Sequence, residues 1–190
     1  MKPPGKVRII GGRWRGTRLA VPDAPGLRPT SDRARETLFN WLQPALPGAR
    51  VLDLFAGTGA LGLEALSRGA AEALLVERDP ALARALEDNL KRLDAGTIAR
   101  VVRADVVSLL AAPLHGRFDV VFLDPPFEAG LWQPALDALG PWLADDAWLY
   151  LESPPDARVE PDAGWLAHRE SRSRDARHAL YRRRPGAGPG

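Results

Sequence analysis

Four carboxylates each follow a short apolar run: Asp53 closes VLD, Glu77 closes ALLVE, Asp105 follows VVRA and Asp124 follows FDVVFL. Apolar runs of this length read as buried strands, so each acid stands at a strand end. Asp53 leads into Phe55-Ala56-Gly57-Thr58-Gly59, Glu77 is followed by Arg78, and Asp105 by Val106. Asp124 leads into Pro125-Pro126-Phe127, where two prolines remove backbone donors and fix φ. That segment cannot continue a sheet ladder; it holds a carboxylate and a ring in a rigid loop. A single acid in a turn is ordinary. Four at successive strand ends, facing one crevice, suit a ligand rich in hydroxyls, amines and positive charge.

The glycines narrow the ligand without settling it. Gly57, Gly59 and Gly62 spell G-x-G-x-x-G, with Glu77 twenty residues beyond Gly57, the pattern of an NAD or FAD site in an oxidoreductase. Such a site puts pyrophosphate on a helix N-terminus, and Asp53 would set a negative charge beside it. A ligand with an ammonium and no phosphate suits Asp53 better. S-adenosyl-L-methionine is one: Asp53 faces its ammonium, the two Glu77 oxygens accept its ribose hydroxyls, and Asp105 accepts from its adenine amine.

The elements that must position these residues alternate. Strands are expected at Arg50–Phe55, Ala73–Glu77, Val101–Ala104, Asp119–Leu123 and Trp148–Glu152. Helices are expected from Ser31 to Leu42, then at Leu61–Arg68, Pro80–Leu93, Val106–Leu110 and Leu131–Leu143. Strand and helix in turn predict an α/β, Rossmann-like fold with a mostly parallel central sheet and ligands at the carboxyl ends of the strands. Leu166–Glu170 and His178–Arg183 predict an antiparallel C-terminal hairpin at the sheet edge, and Val7–Ile10 with Arg15–Val21 a small basic N-terminal hairpin. Residues 1–45 read as this hairpin plus a helix, 46–184 as the main domain and 185–190 as a flexible tail.

Composition excludes several chemistries. Among 190 residues there is no cysteine, so disulfides, thiolate metal sites and cysteine nucleophiles are out. His115, His168 and His178 have no ligand-like spacing, and no metal is expected. No stretch suits a signal peptide or a membrane span, which predicts a soluble, cytoplasmic protein and, with no long apolar face outside the core, a monomer. The net charge of +2 conceals an asymmetry: residues 1–35 hold nine Lys/Arg against two Asp/Glu, whereas 36–167 hold ten against twenty. Residues 168–190 again hold seven against two. Basic ends suit a phosphate-backbone partner. Arg8, Arg13, Arg15 and Arg18 are the candidate phosphate contacts of the arm, with Trp14 stacking on the nucleic acid; the other reading makes these arginines the polar side of a packed hairpin.

The Asp53–Gly59 loop, Glu77, Asp105 and DPPF together resemble a class I S-adenosylmethionine-dependent methyltransferase. More narrowly, RIIGGRWRGTRLAVP (8–22), RPTSDRARETLFNWL (28–42), DLFAGTGALGLEALSRGA (53–70) and DPPF (124–127) resemble the RsmD family. The resemblance runs to about residue 184 and is loose over 154–178. It implies methyl transfer to the exocyclic N2 amine of a guanine in 16S rRNA, within a small-subunit assembly particle. It also implies that Asp124 and the Pro125 carbonyl accept the two amine hydrogens while Phe127 stacks on the base. Arg28 and Arg33 join the RNA candidates, though Arg28, Thr30, Arg33 and Arg35 could instead border the cofactor pocket. The missing cysteine disfavours methylation at a pyrimidine C5, which takes a thiolate, and favours a base nitrogen. A DNA adenine-amine methyltransferase and a non-catalytic RNA-binding protein are the alternatives within this fold.

Overall fold

The computed structural model describes residues 6–24, 27 and 30–187. Arg28, residues 1–5 and residues 188–190 of the expected flexible tail lie outside the described residues. β1 (Lys6–Arg8) and β2 (Arg18–Ala20) form a two-stranded antiparallel sheet, Val7 opposite Leu19. Seven further strands form the central sheet: β3 (Arg50–Asp53), β4 (Glu72–Glu77), β5 (Ala99–Arg103), β6 (Phe118–Leu123), β7 (Leu143–Ser153), β8 (Trp165–Arg172) and β9 (Arg177–Arg183). Their order is β5-β4-β3-β6-β7-β9-β8; the first five run parallel and β9 and β8 add the antiparallel hairpin. The strand order reverses beside β3, between β4 and β6. That is where an open α/β sheet leaves a crevice outside its strand ends.

Among the described residues five helices flank the sheet: α1 (Asp32–Leu42), α2 (Ala60–Ser67), α3 (Pro80–Arg92), α4 (Val106–Leu110) and α5 (Trp132–Ala138). Ser31 caps α1, its hydroxyl accepting from the Ala34 N–H at 3.2 Å. Asp79 caps α3 ahead of Pro80 and Asp105 caps α4. Strands β3 and β6 are buried on both faces, which explains their unbroken apolar reading. Leu123 and Leu151 pack on one side of the sheet with Leu52, Val76 and Trp142; Phe122 and Tyr150 pack on the other with Phe39 and Val51.

Two expectations are corrected. The helix expected at Leu131–Leu143 stops at Ala138, and Gly140–Trp142 forms a single 3₁₀ turn, because Pro141 offers no N–H to continue an α-helix. β7 begins at Leu143 rather than Trp148; the exposed Asp145 and Asp146 break the apolar reading, and the pairing with β6 is irregular between Phe118 and Val120. The N-terminal hairpin is no separate unit of packing. Val7, Ile9, Leu19 and Val21 are buried in the same core as Phe39, Val51 and Leu75.

Candidate active site

The carboxyl ends of β3, β4, β6 and β7, with the loops that follow β3–β6, surround a cavity of about 440 Å³. All four sequence-marked acids line it: Asp53, Glu77, Asp105 and Asp124. So do Phe55, Ala56, Gly57 and Thr58 from the β3–α2 turn, Arg78 and Val106 beside the second and third acids, and Pro125, Pro126 and Phe127. Gly59 does not. It sits at φ 81° as the residue before α2, and a Cβ there would press on the Leu86 and Leu63 side chains, so its missing side chain serves packing. Among the described residues no group of three or more His, Cys, Asp or Glu can hold a metal ion, and no helix is long and apolar enough to cross a membrane.

Each acid is held in its own way. Glu77 receives the Gly57 N–H on Oε2 at 2.9 Å and the Asp79 N–H on Oε1 at 2.8 Å. Those bonds fix the carboxylate plane, and each oxygen keeps a second acceptor site. Asp53 is buried and accepts the Gly62 N–H at 3.0 Å. Burial, opposed by that bond and reinforced by the nearby Glu77 charge, pushes its carboxyl up to about 7. The exposed Asp105 takes the Ser108 N–H at 3.0 Å and hydroxyl at 3.1 Å, both on Oδ1, and the backbone bond chiefly holds its carboxyl below the usual range. These carboxylates already take the Gly57 and Gly62 N–H groups, and the Thr58 hydroxyl takes that of Ala60 at 3.2 Å. Donors that a pyrophosphate would need at this turn are thus satisfied from within the chain, and two of their partners are carboxyl groups.

The DPPF loop faces the same cavity from β6. Pro125 is buried, Pro126 is exposed, and Phe127 is half-buried in a short 3₁₀ turn with its ring centroid 5.9 Å from that of Trp132. Trp132 is buried and donates from Nε1 to the Glu152 carbonyl at 2.8 Å. The Phe127 ring is therefore braced through Trp132 on the end of β7.

A family model described as conserved hypothetical protein 95 matches residues 7–182. Ribosomal RNA small subunit methyltransferase D of Escherichia coli K12 is 50% identical over 182 residues, 94% of this chain and 91% of that protein. The chain belongs to the RsmD family. The Haemophilus influenzae protein of the same name is 41% identical over 181 residues, 93% of this chain and 94% of its own. A solved structure of YhhF from Escherichia coli superposes with a TM-score of 0.86 at 49% identity, covering 95% of this chain and 99% of that one. The fold is that of the class I methyltransferases.

Sequence reasoning missed part of this RsmD-family site. Glu152, at the end of β7, lines the cavity and is 8% exposed. Its Oε2 accepts the Tyr150 hydroxyl at 2.9 Å and the Thr30 hydroxyl at 3.2 Å. His178 Nδ1 lies 2.8 Å from the same phenol oxygen. Burial first, then the charges of Glu152 and Asp124, raise the Tyr150 hydroxyl well above its ordinary range, which keeps it a donor. The available signal was a carboxylate ending the apolar run WLYLE, the same pattern as the other four.

The arm candidates separate into two groups. Arg8 pairs with Asp32 at 3.0 Å, and Trp14 is half-buried against the core with the Arg13 guanidinium 4.0 Å from its ring centroid. Arg13, Arg15, Arg18 and Arg33 are exposed and make no ion pair among the described residues. Arg35 does not border the cavity; it is buried, bonding the Arg8 carbonyl at 2.8 Å and Asp32 at 2.7 Å. Thr30 does line it.

Proposed function

We propose that this chain transfers a methyl group from S-adenosyl-L-methionine to the exocyclic N2 amine of a guanine in 16S rRNA. The observation that carries the reading is the convergence of two acid sets on one cavity: Asp53, Glu77 and Asp105 on one side, Asp124–Phe127 on the other. The first set matches the donor groups of S-adenosyl-L-methionine, namely an ammonium, two ribose hydroxyls and an adenine amine. When bound there, this cofactor would supply a methyl group made electrophilic by its sulfonium. The names of the relatives support ribosomal RNA as the substrate class.

The residues of the chain then have distinct tasks. A guanine amine is a poor nucleophile because its lone pair is delocalised into the ring. Asp124 and the Pro125 carbonyl accept its two hydrogens and turn the lone pair outward; Phe127 stacks on the extruded base. The amine must give up one proton on methylation, which Asp124 or water would take. Orientation of this kind contributes ~7–11 kcal/mol where the reacting atoms are well aligned. Residues 1–45 act as the RNA-binding extension of the 46–184 domain, on a monomer working in the cytoplasm on a small-subunit assembly particle.

The decisive experiment is transfer of labelled methyl from S-adenosyl-L-methionine to 16S RNA, free and in assembled small-subunit particles, followed by mapping of the modified base. Label at a guanine N2 is expected. Label on an adenine amine, or binding of NAD in place of S-adenosyl-L-methionine, overturns the reading.

A further inference from the structure

We infer that Glu152 reads the N1–H of the target base and so sets the preference for guanine. The inference rests on the guanine-N2 reading and adds to it the residue that selects the base. Leu123 of β6 and Leu151 of β7 are paired across adjacent parallel strands, so Asp124, just past β6, stands beside Glu152, still in β7 opposite His178 of β9, at ~4.8 Å strand spacing. Both line the cavity. Guanine presents N1–H and the N2 amine next to each other on one edge, all as donors. Two neighbouring carboxylates are the matching acceptors, Asp124 for the amine and Glu152 for N1–H. Adenine and other purines without the N1 hydrogen place a lone pair there, and a carboxylate repels it.

The surroundings of Glu152 have the asymmetry such a reader needs. Thr30 and Tyr150 both donate to Oε2. Oε1 has no hydrogen-bond partner among the described residues, and Glu152 lines the cavity. With the phenol hydrogen given to Glu152, His178 carries its proton on Nδ1 and donates it to the phenol oxygen, closing the chain behind the carboxylate. The ring pair of Phe127 and Trp132 is fastened to the backbone of the same residue. One position at the end of β7 therefore braces the stacking surface and faces the base edge.

The same network dictates what Glu152→Gln must do. The two hydroxyl donors hold the amide oxygen at the Oε2 place, which turns the amide NH₂ toward the cavity, where it repels N1–H and suits an N1 acceptor. The test compares target RNA carrying guanine with RNA carrying 2-aminopurine at the mapped position, since 2-aminopurine keeps the N2 amine and lacks the N1 hydrogen. Its change at position 6 is common to both enzymes and cancels in the ratio of ratios. Wild-type enzyme is expected to prefer guanine in kcat/KM by about 10- to 150-fold, the range for a hydrogen bond to a charged group. Glu152→Gln is expected to lower that preference at least tenfold while binding S-adenosyl-L-homocysteine normally. An unchanged preference in the variant overturns the inference, whether activity on both bases is retained or falls equally. Equal turnover of the two bases by the wild type overturns it without any variant. If wild-type enzyme modifies no guanine N2 at all, the proposed function fails instead.

Discussion

Asp53 and Asp124 are both strand-end aspartates of one cavity, and they differ in what water can reach. The buried Asp53, with its carboxyl raised from 3.8 to about 7, takes a proton more readily in the fold than in the unfolded chain. A raised folded value contributes stability that is present below about 4 and is lost as pH rises toward 7. Asp53→Asn should therefore flatten the fall in urea-unfolding free energy between pH 4 and 7. A cationic ligand favours the carboxylate, so its binding releases a proton. Affinity for S-adenosyl-L-methionine should rise from pH 6 to 8, calorimetry in buffers of different ionisation enthalpy should register the proton, and Asp53→Asn should remove both effects. Asp124 is half-exposed, and in the proposed reaction it acts on the target amine rather than on the cofactor. Asp124→Ala should cut methyl transfer by about 10²–10⁴-fold, the scale of a lost acid–base or orienting group, with S-adenosyl-L-homocysteine binding unchanged in titration. Phe127→Ala should raise the RNA concentration for half-saturation by about 5- to 150-fold, equivalent to ~1–3 kcal/mol of base stacking.

At the level of elements, α2 joins the Gly57–Gly59 turn to the N-terminal arm. Its N-terminus follows Gly57–Gly59, and Gly62 lies so close to β4 that a Cβ would overlap Leu75. Farther along, the fully buried Glu64 accepts the Ile10 and Gly11 N–H groups at 2.8 Å each, and pairs with Arg68 at 2.8 Å and Arg35 at 3.5 Å. Ser67 accepts the Trp14 N–H at 3.0 Å and donates to the Gly11 carbonyl at 2.6 Å. Asn89 of α3 bonds both backbone groups of Ala20 on β2. Glu64→Ala leaves the Ile10 and Gly11 N–H groups without their acceptor and Arg35 with Asp32 as its ion-pair partner, and should cost about 2–4 kcal/mol in denaturant unfolding, the scale of two lost hydrogen bonds to a charged group. The sheet and most helix bounds were legible because apolar period, capping residues and glycines are local signals. Glu64 was not, although it is the one charge in ALGLEALS, because its partners lie 53 and 54 residues away in the arm. Glu152 escaped although it ends an apolar run as the other four acids do, because its place beside Asp124 and its bond from Thr30, 122 residues distant, appear only in the fold.

For the whole molecule, the basic ends are not equivalent. In the C-terminal hairpin Arg177 is buried, bonding Glu170 at 3.0 Å, the Val159 carbonyl at 2.9 Å and the Tyr181 hydroxyl at 3.0 Å. Arg183 is buried too, against the Leu143 and Ala144 carbonyls at 3.4 and 3.1 Å. Part of the tail charge thus holds β9 in place, which a count of arginines could not reveal. The arm instead presents Arg13, Arg15 and Arg18 outward on a hairpin fastened to α2 and α3. A docked basic hairpin meets phosphates without the ordering cost of a loose tail. Replacing Arg13 and Arg15 by Ala should weaken RNA binding most at low salt and lower the slope of log K against log salt by about 1.4–1.8, two contacts at 0.7–0.9 each. S-adenosyl-L-homocysteine affinity should be unaffected, because neither residue lines the cavity. Parallel salt titrations of variant and wild type would return the arm to a packing role and move the RNA contact elsewhere on the surface.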